Sequence, residues 1–121
     1  MGEKKILYVV TSGVGNPERA YAPFILATAG VAMGIDVTIY FLIKGVTLLK
    51  KGEAEKMKLP DFPSLNEVME KAVELGVKLE LCEQSCTLHG LERKDLIEPA
   101  TVVGAAILND RILDADAVLC F

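Results

Sequence analysis

Short apolar runs and helical apolar stripes alternate along this chain. Lys5-Ile-Leu-Tyr-Val-Val-Thr11 is continuously apolar and rich in β-branched residues, the pattern of a strand covered on both faces. Ser12 to Gly15 reads as a loop, and Asn16-Pro17-Glu18 carries helix-start chemistry: a cap residue, proline at the first position, then an acid. Phe24, Ala27, Thr28, Val31 and Ala32 follow at helical spacing, and Gly34 stops the helix. Proline inside a helix costs about 3 kcal/mol, so the main helix is predicted to begin at Pro23 after a preliminary turn. A second strand is predicted over 36–42, with Val37, Ile39 and Phe41 on one face, then a short helix over 44–51 closed by Gly52. With two prolines and many charges, 53–63 reads as an exposed loop. Ser64 and Glu67 form a capping box for a helix presenting Val68, Met69, Ala72 and Val73, and Gly76 ends it. A third strand is expected over 77–81, a helix of one to two turns over 83–89, and a connection with a turn at 93–96. Val102 and Val103 read as a very short fourth strand. A helix over 104–113, with Ala105, Leu108 and Ile112 inward, leads to a terminal strand over 117–121. Strands alternating with helices at this spacing imply an α/β fold with a mainly parallel sheet of about five strands.

Length and composition sharpen this reading. A chain of 121 residues makes one domain. Its apolar share of 51% is high for that size. A domain this small buries only roughly 65% of the surface its unfolded chain exposes, so part of the apolar surface is expected to meet another subunit. The net charge of −4 argues against nucleic acid as a partner. The basic cluster Lys50, Lys51, Lys56 and Lys58 is interleaved with Glu53 and Glu55 and reads as a solvated segment. The N-terminal stretch lacks the pattern of a signal peptide, and no stretch approaches the roughly 18 apolar residues of a membrane span. The expectation is therefore a cytoplasmic protein, away from membranes, whose three cysteines are reduced thiols.

In open parallel sheets, ligands and catalytic groups gather outside the carboxyl ends of the strands. Gly13, Gly15, the loop starting at Ile43, and Cys82 should meet at that edge. Cys82 directly follows the third predicted strand and precedes a helix, whose exposed N–H groups and dipole stabilise a thiolate. Two readings of it stand: a reactive thiol, or a buried inert one, since free cysteine is among the most buried residue types. Cys86, one helical turn on, could resolve a disulfide or simply pack, and packing suits the poor helical geometry better. With His89, the two cysteines would make three soft ligands in eight residues, but a structural zinc site needs a fourth, and no metal is expected. Cys120 reads as core. Gly13-Val14-Gly15 is followed by Glu18 where a dinucleotide fingerprint requires glycine, and no P-loop lysine is present. One histidine leaves no Ser-His-Asp set to argue.

A set of short motifs, in order, resembles the DsrE/DsrF-like (TusD-like) sulfur-relay family over nearly the whole chain. They are Thr11-Ser12-Gly13; Ala22-Pro23-Phe24-Ile25-Leu26-Ala27 leading to Met33-Gly34; Val37-Thr38-Ile39-Tyr40-Phe41 with Gly45-Val46; and Gly76-Val77-Lys78 before Cys82-Glu83-Gln84-Ser85. Leu91 to Ile97, Val103-Gly104-Ala105 and Ala115-Asp116-Ala117-Val118 complete the series. The resemblance implies a flavodoxin-like three-layer sandwich that assembles into trimers or hexamers, as copies of one chain or with related subunits. It implies a persulfide on Cys82, taken from a sulfur donor and passed to an acceptor protein without a cofactor. Ser12, Gly13, Lys44, Gly45, Ser85 and Cys86 are expected to line the pocket, Lys44 standing where several relatives carry an acid or an apolar residue. The alternative is a non-catalytic oligomeric module binding a small ligand or partner at the same edge.

Overall fold

The computed structural model describes residues 3–121. Among them the strands β1 (Lys5–Val10), β2 (Asp36–Phe41), β3 (Lys78–Cys82), β4 (Ala100–Val103) and β5 (Ala117–Cys120) form one five-stranded parallel sheet in the order β4-β3-β2-β1-β5. The chain steps across the sheet from β1 to β4 and then returns past β1 to β5. Right-handed crossovers therefore put α1 (Pro17–Ala32) and α3 (Leu65–Glu74) on one face and α5 (Ala105–Asp114) on the other. This is the expected α/β sandwich.

The first face carries the main core. Tyr8, Val10, Ile39, Phe41, Leu79 and Leu81 point toward Tyr21, Phe24 and Ala27 of α1 and Leu65, Met69 and Ala72 of α3. Phe24 and Phe41 meet with ring centroids 5.9 Å apart. That packing explains why α1 does not wait for Pro23: it runs unbroken from Pro17, with Pro23 buried inside it. The lost helical bond is offset by burying Tyr21, Phe24 and Ala27, where each large apolar side chain contributes about 1.5–3 kcal/mol. The Tyr21 hydroxyl also reaches the Met57 and Pro63 carbonyls at 3.0 and 2.7 Å.

Those contacts pull in a segment expected to be exposed. Residues 53–63 contain the short helix α2 (Glu53–Lys56), and Ala54 and Met57 are buried in the main core. The charges of this segment mask two apolar residues three apart. The predicted helix at 44–51 is instead a 3-10 segment, Ile43–Leu49. Ser64 caps α3 as predicted, its hydroxyl accepting the Glu67 N–H at 3.3 Å.

The α5 face departs most from the sequence reading. Ala105 and Ile112 are exposed and Leu108 is half-buried. The stripe turned to the sheet is Leu108, Arg111 and Ala115, because Arg111 makes a two-pronged bond to Glu80 of β3 at 2.9 and 2.7 Å. A pattern that counts only apolar residues skips the arginine and rotates the helix. Cys120, expected in the core, is exposed, since β5 is an edge strand whose four residues are all exposed.

Candidate functional site

Cys82 ends β3 and is the N-cap of α4 (Glu83–Leu88). In-register pairing of Phe41 with Leu81 puts Cys82 and Tyr40 on the same side of the sheet, the α5 side. There Cys82 packs with Leu7, Val9 and Tyr40, bordered by Leu42, Val103, Leu108 and Ala115, and only 4% of it is exposed.

Burial by itself would raise the thiol pKa. Opposing it are nearby groups able to donate to the sulfur: the Ser85 hydroxyl, the backbone N–H groups of Ser85 and Gln84 at the start of α4, and the Tyr40 hydroxyl. Together they hold Cys82 below the ordinary thiol range. In the thiol form the sulfur donates its proton toward Gln84 Oε1 at 3.5 Å. Tyr40 is fully buried, and burial, then the neighbouring Cys82, push its phenol far up, so the hydroxyl keeps its proton. Ser85 is buried and accepts the Ile43 N–H at 2.8 Å.

The structure divides the residues expected in one pocket among four places. Ser85 joins Cys82. Ser12, Gly13 and Lys44 line a separate cleft of about 530 Å³ at the carboxyl edge of β1, together with Thr47 and His89; Cys82 is not part of its wall. Gly45 is packed beneath, where an added methyl group would overlap the Val10 carbonyl oxygen. Cys86 lies in the main core on the other side of the sheet, its thiol pushed up by burial and then by the charges of Cys82 and Glu83. Cys82, Cys86 and His89 thus face three different surroundings, and among the described residues no group of three His, Cys, Asp or Glu side chains is placed to hold a metal ion.

Tyr40 is the functional neighbour that sequence reasoning passed over. Alternation along β2 gave Val37, Ile39 and Phe41 to one face, which leaves Tyr40 on the opposite one; only the β2–β3 register shows that Cys82 shares it.

The sequence profile of the DsrE/DsrF-like family matches residues 4–121. The chain belongs to the DsrE/DsrF-like family. An uncharacterized protein of Methanocaldococcus jannaschii is 35% identical over 84% of this chain, which spans only 37% of that relative's length. A second from the same organism is 30% identical, with 97% of this chain and 99% of the relative aligned. The sulfur carrier protein DsrE2 of Allochromatium vinosum is 25% identical, with 98% of this chain and 99% of the relative aligned. Among solved structures, the ychN protein of E. coli superposes with a TM-score of 0.80 at 20% identity, over 99% of this chain and all of that one, a likeness of fold. Among the described residues of this DsrE/DsrF-like chain, no helix is long and apolar enough to cross a membrane.

Proposed function

We propose that this chain is a sulfur carrier and that Cys82 is the carrying residue. The observation that bears most weight is the buried thiol at the carboxyl end of β3, on the side of the sheet it shares with Tyr40 and one helical turn from the buried Ser85. The name of the Allochromatium relative, sulfur carrier protein DsrE2, agrees with the reading. In the loading step the Cys82 thiolate attacks the outer sulfur of a donor persulfide. A new S–S bond forms, the donor's S–S bond breaks, and the electron pair leaves on the donor thiolate, while the proton stays on the transferred sulfur. In delivery an acceptor protein's thiolate attacks that sulfur and the electron pair returns to Cys82 Sγ. Neither step consumes an oxidant or requires a cofactor. The reading takes the three cysteines as reduced thiols, which a cytoplasmic setting maintains.

Association belongs to the proposal. Val118 and Leu119 of β5 and Ile112 and Leu113 of α5 form an exposed apolar margin, suited to a trimer or hexamer of this chain or to related subunits. Nucleic acid and membrane are not among the proposed partners.

Incubation with polysulfide followed by intact mass measurement tests sulfur carriage. Wild type should gain more sulfur than Cys82→Ser, whose remaining uptake falls on the exposed Cys120; equal gain by the two proteins overturns the reading. The separate cleft favours a second reading, a non-catalytic module that holds a small ligand beside Lys44 and His89. Under that reading, a Cys82→Ser chain keeps its whole function.

A further inference from the structure

Cys82 has to serve twice in a carrier, as nucleophile when sulfur arrives and as leaving group when it departs. Both roles need the sulfur anion to be stable in a site almost closed to water. Backbone N–H groups supply part of this, as they would for any side chain at the start of α4. The two hydroxyls are a different matter, because each has a single proton and its direction depends on what else the oxygen does.

The Ser85 oxygen is already an acceptor, taking the Ile43 N–H at 2.8 Å. That bond occupies a lone pair and leaves the hydroxyl proton free to turn toward Cys82, one turn back in the chain. The Ile43 backbone is held in place to make it. Ile43 has φ +58°, a left-handed conformation that a β-branched residue rarely adopts. The turn is clamped on both sides: Leu42 N–H bonds the Val10 carbonyl at 2.9 Å, and Gly45 N–H bonds the Leu42 carbonyl at 3.0 Å.

Tyr40 completes the arrangement from the neighbouring strand. It lies on the same face as Cys82, packed against it, with its hydroxyl 3.5 Å from the Gly104 carbonyl, a long contact at the limit of a hydrogen bond. When Cys82 is a thiol, that carbonyl is an available acceptor. When sulfur carries the charge, it is the stronger acceptor and draws the same proton.

We propose that Tyr40 and Ser85 are catalytic donors that hold the Cys82 sulfur anion before loading and as it leaves, with the Ile43 N–H as the positioning group that aims Ser85. The proposal rests on Cys82 as sulfur carrier for its purpose, but its chemistry is measurable on the free thiol. The rate of Cys82 alkylation by iodoacetamide, resolved by peptide mass spectrometry, is followed against pH. Thiolate absorbance, which needs no access to the buried sulfur, is titrated beside it. Tyr40→Phe and Ser85→Ala should each move the rise of both curves upward by about one pH unit, which is about tenfold slower alkylation at pH 7. The curves should converge with wild type once the thiol is fully ionised. Ser85→Thr, which restores a hydroxyl, should move the curve back. Circular dichroism and thermal unfolding identify the folded variants. Superposition of both folded variants on wild type overturns the proposal, and a shift in only one overturns the pair in favour of a single donor. Shifted curves in a chain that gains no sulfur from polysulfide would keep the donors and reject sulfur carriage; sulfur gain with unshifted curves would do the reverse.

Discussion

The two faces of the sheet are built differently. Under α1 and α3 lies a continuous apolar core in which Phe24, Phe41, Ile39, Leu65 and Leu81 are fully buried. Under α5 the sheet presents Leu7, Val9, Tyr40 and Cys82 beside Glu80, and the helix above buries none of its described residues fully. What anchors α5 is the Arg111–Glu80 pair and an exposed contact between Lys5 and Asp114 at 2.7 Å. Under the proposed function, the first face carries the stability and the second the chemistry and association. A polar anchor and a helix with no fully buried residue suit a face that must open to admit another protein's thiol to the buried Cys82, whereas the dense face has nothing to admit.

The sharpest way to break this contrast is to remove a large apolar side chain from each face. Phe41→Ala should cost about 4 kcal/mol, because it opens a cavity among fully buried neighbours. Leu108→Ala, half-buried beneath α5, should cost about 1 kcal/mol. Urea denaturation midpoints at constant m-value measure the two. Equal losses would mean that α5 packs as tightly as α1 and that the division of labour is wrong.

A second test asks whether the thin face is completed by another chain. Leu113 is 86% exposed, so the chain itself loses almost no packing when this residue changes. Leu113→Glu should leave the stability of the single chain within about 0.5 kcal/mol. If α5 and β5 lie against a second copy, the same substitution should lower the mass seen by light scattering to that of one chain. Wild type that already scatters as one chain at high concentration removes the association proposal.

The first face was legible in the sequence for a physical reason. Its strands are apolar and its helices show their inward residues at helical spacing, so burial and pattern agree. Where the pattern erred, a polar or special residue had been placed by tertiary contacts. Pro23 reads as a helix start in the sequence, and the packing of Tyr21 and Phe24 overrides that preference. An inward stripe of Ala105, Leu108 and Ile112 passes over Arg111, which Glu80 draws toward the sheet. The position of Cys82 at the end of β3 followed from the alternation of strands and helices. Its donors did not all follow: Ser85 is near in sequence, but Tyr40 is 42 residues away and needs the parallel register to come alongside. The separation of the Ser12–Lys44 cleft from Cys82 was equally hidden, since both sit at the carboxyl edge and only coordinates distinguish its two sides.

The smallest effect divides the two faces at one pair of thiols. Cys82 and Cys86 are four residues apart, yet the first lies on the α5 side with its pKa lowered by hydrogen bonds against the cost of burial, and the second lies in the main core with its pKa raised by burial. As pH climbs from the folded-state pKa of Cys82 to the ordinary thiol value, the unfolded chain holds more protons than the folded one, so stability should rise. That contribution is complete above the ordinary value and is lost as pH falls through the folded-state pKa. Cys86 acts oppositely: above the ordinary value the unfolded chain ionises first, and stability should fall until the folded thiol also ionises. Thermal midpoints measured across neutral and alkaline pH should therefore lose the lower rise in Cys82→Ala and the higher fall in Cys86→Ala, each compared with wild type after subtracting its pH-independent offset. If Cys82→Ala keeps the rise, the sulfur anion is not preferentially held in the folded chain, and the functional distinction between the faces loses its electrostatic basis.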